Sequence, residues 1–352
     1  MKIHDNGQGV MNGKLYIVLN IDTEGPATDP GHPDLLSNWA QIDMFLAKIF
    51  DSNYRKKVID SYGRGVVFSW FMLSWTGFKT NPIKRDFGYH KVYDHYMLEW
   101  GNRIKKYGDG VYWHYHHPHS NGIGNAWSRE WNSSNEYHNI LNRFVIDRRY
   151  FPSVFRAGGT IETNEVSDWL EQWIPFDYSS RSNGIDWKKS DSSGHSLRDI
   201  CDWSKAPKDW SWYHPSKNDY QMPGDMKRII FRSIDLMTGV YTLQLSDITD
   251  AFERAKNGYN TIFSVFEHDY RDRAGQIYDK LLSPLEKVSR NYPSVKWQFA
   301  NALEAAQSVM GLKKSQGPLF DLYLDDMRNL FIIKSDKRLF GKQPYVVFKY
   351  ED

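Results

Sequence analysis

The chain has 352 residues, 25% of them charged and 40% hydrophobic, with a formal net charge of +2. That size suits one large α/β domain or two smaller ones, and the near-neutral balance argues against nucleic acid or an anionic membrane as partner. A single cysteine, Cys201, excludes an intramolecular disulfide and a cysteine-based zinc site.

Aromatic residues make up 16% of the chain, including 14 Trp and 22 Tyr. Such side chains serve equally as sugar-stacking faces or as a large aromatic core. The segment Met1–Gly7 has no apolar stretch of the kind a signal peptide needs. No run approaches the roughly 18 apolar residues of a membrane span, so a soluble, cytoplasmic protein is expected.

Lys14–Asp22 is a near-continuous apolar run, the pattern of a strand buried on both faces. It ends in Asp22-Thr23-Glu24-Gly25-Pro26. Asp22 and Glu24 share strand parity, so both carboxylates are placed to face one cavity. Leu36–Ile59 reads as helix in two pieces, broken or capped at Asp51-Ser52. A second strand follows at Gly65–Leu73, then a helix at Tyr89–Lys106.

The turn Gly108-Asp109-Gly110 leads into a third strand and Tyr112-Trp113-His114-Tyr115-His116-His117-Pro118-His119. Four of the twelve histidines fall within six residues. Residues i and i+2 of a strand share a face, so His114 and His116 point together, and His119 has the reach to fold back over Pro118. Neutral imidazole is the commonest side-chain metal ligand, and one carboxylate from elsewhere completes a three-ligand site with an open position.

Ser128–Arg148 reads as the next helix, Ser153–Gly159 as a short strand carrying Arg156, and Thr163 or Asn164 to Trp173 as helix. Phe176–Ser180 opens another strand. Arg181–Gly224 is polar, aperiodic and rich in Trp, with Trp187, Trp203, Trp210 and Trp212. We expect it to cover one rim of a cleft and stack on sugar. Within it Trp212-Tyr213-His214 is a candidate sugar grip or an aromatic loop packed on the domain, and Asp186-Trp187 and Asp202-Trp203 are candidate acid–aromatic pairs. Arg228–Asp235 and Asn260–Phe266 are strands, the second ending in Glu267-His268-Asp269-Tyr270-Arg271-Asp272. Helices at Thr249–Lys256, Ala274–Arg290 and Asn301–Met310 and a strand at Val295–Phe299 complete an alternation typical of a β/α barrel or doubly wound sheet. Three strand-like runs, Leu319–Leu324, Leu330–Lys334 and Tyr345–Tyr350, form a small antiparallel appendage. The division expected is a barrel domain at 1–312 and a β appendage at 313–352.

Buried runs therefore end in Asp22/Glu24, His114/His116/His119, Arg156 and His268/Asp269. Strand ends of a parallel barrel meet at one face, so these groups can converge. A carboxylate with two histidines makes a hydrolytic metal site, a second carboxylate can act as base, and a distal histidine as acid.

Asp22-Thr23-Glu24, the His114 segment, Phe155-Arg156-Ala157-Gly158-Gly159, Phe176–Ser180 and Phe266-Glu267-His268-Asp269 occur in the order of the polysaccharide deacetylases with a NodB-homology domain, and the chain resembles that family over roughly Lys14–Met310. The likeness is closest to the deacetylase-like proteins encoded with bacterial O-antigen and surface-polysaccharide genes. It implies a distorted β/α barrel that removes an acyl group, usually N-acetyl, from a sugar with the help of a metal; the mixed imidazole and carboxylate ligands favour a divalent ion, zinc above others. By the resemblance Asp22 is the base, Glu24 the acidic ligand, His114 the first metal histidine, and Arg156 the residue that orients the base. His268 is the general acid, with Asp269 or Asp272 as partner. Asp177 lies in the segment that lines the site and joins Trp212, Tyr213 and His214 as a substrate-binding candidate. The implied substrate is an acetamido sugar, nucleotide-linked, lipid-linked or within an oligosaccharide.

The chain departs from the family where Pro118 replaces the second histidine of the usual spacing. His116, His117 and His119 compete for that place: strand parity favours His116, loop reach favours His119, and His117 belongs on the opposite face. Asp22 and Glu24 can also exchange roles. A sugar-binding protein without turnover, or a metal-dependent hydrolase or glycosidase on the same barrel, are the alternative readings.

Overall fold

The computed structural model describes residues 12–29, 31–124, 128–182, 202–237, 241–312 and 317–350. Its centre is a parallel sheet whose strands run in the order β6-β5-β4-β3-β2-β1-β8-β7. They are β1 Leu15–Thr23, β2 Phe68–Ser74, β3 Gly110–Tyr115, β4 Val154–Ala157, β5 Phe176–Ser180, β6 Ile229–Arg232, β7 Ile234–Asp235 and β8 Thr261–His268. A short β9, Trp297–Phe299, pairs with the first residues of β1, while β2 pairs with its last five.

The sheet curls into a nearly closed β/α barrel because β6 and β7 are halves of one extended stretch, 229–235. Ile229–Arg232 pairs with β5, and Ile234–Asp235 pairs with β8. The edge that β6 leaves open is covered by Tyr213, which exchanges backbone hydrogen bonds with Ile230 at 3.2 and 2.9 Å. All nine residues of β1 and all seven of β2 are buried, as expected of strands with the barrel interior on one face and helices on the other.

Strand parity sorts the core into layers. Tyr16, Val18, Phe71, Tyr112, Val154, Tyr178, Phe231 and Ile262 fill the barrel interior. Ile17, Leu19, Ile21, Phe68, Trp70, Phe263 and Val265 face outward into a larger cluster with the surrounding helices. Side chains from Tyr16 up to Val18 thus plug the lower barrel, and the same face of β1 continues upward through Asn20 to Asp22. Polar groups take over there: Asn20 Nδ2 donates to Ser233 Oγ and Ser264 Oγ at 3.1 and 2.9 Å.

Two expectations need correction. The helix expected over Ser128–Arg148 begins only at Glu136, after a 3₁₀ turn at Trp131–Ser133. Trp131 is drawn into an aromatic cluster instead, 5.1 Å from Tyr115 and 6.1 Å from Trp113 between ring centres. The C-terminal appendage is a two-stranded hairpin, β10 Phe320–Asp325 and β11 Leu330–Ser335, and Tyr345–Tyr350 is not a strand. Tyr345 docks on the barrel's helical flank, with its ring 4.8 Å from Phe151 and 5.1 Å from Trp173 and its hydroxyl donating to Asn142 Oδ1 at 2.8 Å.

Candidate active site and metal centre

Asp22 ends the inward face of β1 and stands in register with His268 on β8. His114 on β3 stands in register with Arg156 on β4. These neighbours, with Glu24 just past β1, meet at the carboxyl ends of the strands around a cavity of about 300 Å³. Asp22, Glu24, Arg156, Phe266, His268 and Tyr270 line it, with Arg181, Asp235 and the turn Gly159-Thr160.

Glu24, His114 and His116 form a buried triangle. His114 Nε2 and His116 Nε2 are 3.0 Å apart, and Glu24 Oε1 lies 3.5 and 3.6 Å from them. A tetrahedral zinc with ligands at about 2.0–2.1 Å separates them by about 3.3 Å, so the triangle suits such an ion. The tautomer agrees. His114 Nδ1 faces the Arg156 carbonyl at 2.9 Å, and a carbonyl can only accept. The proton therefore sits on Nδ1, and the Nε2 lone pair faces the triangle. Burial outweighs the neighbouring Glu24 and lowers His116 to about 4, which leaves it neutral. Glu24 is also buried, yet Arg85, His114 and His116 more than offset the burial and hold its carboxyl well below the ordinary value. Arg85 grips Oε2 at 2.5 Å and leaves Oε1 to the histidines.

Gly158 is required beside the triangle. A Cβ there would stand 2.2 Å from His116 Cδ2, well inside any tolerable contact. The glycine lets β4 pass close enough for the imidazole to lie against it.

Arg156 Nε donates to both Asp22 oxygens, at 2.7 and 2.9 Å, and Nη1 donates to Tyr178 O at 2.6 Å. Its guanidinium stacks 3.7 Å over the Phe266 ring. His268 Nε2 lies 3.9 Å from Asp22 Oδ2 and from Glu24 Oε1. Burial pushes His268 down, but Glu267, Glu24 and Asp22 together raise it to about 9, so the ring is protonated at neutral pH.

Several expected site residues lie elsewhere. Asp269 does not partner His268. Its fully buried carboxylate accepts from Glu24 N–H at 2.8 Å, Gly25 N–H at 3.1 Å and the Tyr96 hydroxyl at 3.0 Å. It pins the loop that carries Glu24, while Glu267 Oε1 stands 3.5 Å from His268 Nδ1. Asp272 pairs with Lys48 on an exposed rim. His119 is exposed and accepts from Asn121 N–H at 3.2 Å, outside the triangle. His117 faces away, between the Tyr115 hydroxyl at 2.8 Å and Ser133 Oγ at 2.9 Å.

The substrate-binding candidates Asp177, Trp212, Tyr213 and His214 do not line the cavity. Asp177 is buried against Arg228 and accepts from Ser179 N–H at 2.6 Å. Tyr213 is buried with its hydroxyl on Tyr220 O at 3.0 Å, His214 Nδ1 faces Arg228 O at 3.1 Å, and Trp212 packs partly buried against the barrel core. Trp203 and Trp210 are buried as well, donating to Thr160 O and Asp247 O at 2.9 and 3.0 Å. These indoles belong to the barrel wall rather than to a sugar-stacking rim. Asp202, beside Trp203, caps its own turn by accepting from Ser204 N–H at 3.1 Å. Asp186, Trp187 and Cys201 lie outside the described residues.

Sequence reasoning missed Arg85, Thr160 and Tyr270. Arg85 and Thr160 sit in loops with no periodic signal. Tyr270 stood in the strand-end cluster after β8 but carried no charge to single it out.

Fold and site together define a parallel β/α barrel with a buried carboxylate–histidine–histidine centre and an arginine-clamped aspartate. The sequence matches no family model and no curated protein. Among solved structures it is similar to one provisionally assigned as a glycoside hydrolase/deacetylase from Parabacteroides distasonis. The identity is 11% over 90% of this chain and 76% of that one, with a TM-score of 0.45. A likeness of that depth says nothing about activity, so the functional reading rests on the site itself.

Proposed function

We propose that this chain is a metal-dependent sugar N-deacetylase, hydrolysing the amide of an acetamido sugar of the kind used in building bacterial surface polysaccharides. The observation that carries the reading is the Glu24–His114–His116 triangle beside an aspartate held by Arg156. Glu24 Oε1 and the two Nε2 atoms would hold a divalent ion, and the mixed imidazole and carboxylate donors favour zinc. Such an ion supplies Lewis acidity to water and to the amide carbonyl.

The chain's own residues do the rest. Asp22, clamped and aimed by Arg156, takes a proton from the attacking water. The water oxygen bonds to the acetamide carbon and the C–N bond breaks. His268, protonated beside the two carboxylates, gives its proton to the departing amine. Acetate and the free amino sugar leave. The cavity of about 300 Å³ is small, in keeping with a single sugar ring at the reacting position.

The test is acetate release from nucleotide-linked, lipid-linked and oligosaccharide acetamido sugars by wild type and Asp22→Asn. Reducing-sugar release would point to a glycosidase. Binding without release would point to a sugar-binding protein.

A further inference from the structure

The turn after β4 departs from ordinary backbone chemistry at one wall of the cavity. Ile161 N–H donates to Gly158 O at 3.1 Å, and the two residues between, Gly159 and Thr160, both have φ of 57°. Positive φ at both central positions is the type I′ pattern, which asparagine and glycine accommodate. A β-branched residue there is a genuine outlier, and strain of this kind persists only where the surroundings over-determine it. Trp203 supplies part of that constraint by donating Nε1–H to Thr160 O at 2.9 Å.

The side chain gains the fold nothing visible in return. Thr160 is 3% exposed, and its buried Oγ1 has no hydrogen-bond partner among the described residues. An unpaired buried hydroxyl is itself destabilising. Glycine would relax the backbone, and valine would keep the shape without the polar atom. Yet Thr160 shares its cavity with Asp22, Arg156 and His268.

We propose that Thr160 is a substrate-contacting residue, its hydroxyl turning about χ1 to hydrogen-bond a polar group of the sugar beside Asp22. The sugar as ligand rests on the deacetylase reading. The energetic argument about Thr160 does not.

The experiment compares Thr160→Val, Thr160→Ser and Thr160→Gly by thermal melting and by kcat/KM for acetate release from the best acetamido sugar. Thr160→Val should melt no lower than wild type and lose roughly tenfold to a hundredfold in kcat/KM, the usual scale for leaving a substrate polar group unpaired. Thr160→Ser should keep most of the activity, and Thr160→Gly should melt no lower while losing activity like the valine variant. Thr160→Val melting several degrees lower with unchanged kcat/KM would overturn the proposal, since the hydroxyl would then serve the fold. Unchanged kcat/KM at unchanged stability would overturn it equally. If wild type releases no acetate from any sugar, the deacetylase reading fails. The melting arm then decides alone: valine and glycine variants at least as stable as wild type support a ligand role, and a less stable valine variant overturns it.

Discussion

Asp22 and Arg156 show how tightly the individual side chains are constrained. Both are buried, and together they form a neutral pair whose members would each be expensive alone. Asp22→Asn should therefore be less stable by on the order of a few kcal/mol, because the Arg156 charge loses its partner. It should still bind about one divalent ion per chain, since the three ligand atoms come from other residues, and turnover should fall by roughly 10²-fold or more. Elemental analysis and acetate release read the two effects separately. Loss of the ion in Asp22→Asn would exchange the roles of Asp22 and Glu24. His114→Ala should remove the ion altogether, and full occupancy in that variant would discard the metal centre. For His268 the acid form is the active one, so activity is lost as pH rises through its folded value. The alkaline limb of kcat/KM should lie at or below about 9, because a cation at the triangle would pull that value down. His268→Ala should abolish the limb.

At the scale of elements, the strands made most of this site legible in advance. Asp22, Glu24, His114, His116, Arg156 and His268 each stand at or just past the end of an apolar run, and period-two parity chose His116 over His117. Asp269 was misread because the same parity turns it outward, onto the backbone of the Glu24 loop. Trp203 and Trp210 were misread because composition cannot tell a stacking surface from a packed wall. Arg85 and Thr160 lie in turns whose positions depend on tertiary contacts alone.

Two predictions belong here. Gly158→Ala should push His116 out of the triangle and lower metal affinity at least about tenfold, with circular dichroism unchanged; unaltered affinity would mean that the strand yields. The second concerns Glu162, Asp177 and Arg228, which are buried together between β5, β6 and the helix Asn164–Trp173. Burial, helped by Asp177 and opposed by Arg228, raises Glu162 well above 4.5. Its folded form holds a proton that the unfolded chain releases. The stability it gives is thus complete below about pH 4.5 and is lost as pH rises towards the folded value. Glu162→Gln cannot ionise, so its melting temperature should gain on wild type as pH rises above about 4.5. A pH-independent difference would show that Glu162 is ionised in the fold.

The described residues form a nearly closed barrel and a terminal hairpin. Alternating strands and helices announced a β/α barrel or a doubly wound sheet without choosing between them, and closure by the single stretch 229–235 was hidden, because nothing local marks a strand that changes partners at Ser233. β10 and β11 pair with each other alone among the described strands. Removing residues 317–352 should therefore leave the metal stoichiometry unchanged and lower the melting temperature by a few degrees, through loss of the Tyr345 contacts. Loss of the ion in that truncation would make the tail part of the catalytic domain.

The measurement that bears most directly on the account is acetate release by purified wild type before and after chelation. With an acetamido sugar as substrate, acetate should appear, stop when the ion is stripped, and return when Zn²⁺ is restored. Metal-loaded protein that releases no acetate from any nucleotide-linked, lipid-linked or oligosaccharide acetamido sugar, or release that survives complete removal of the ion, would contradict it.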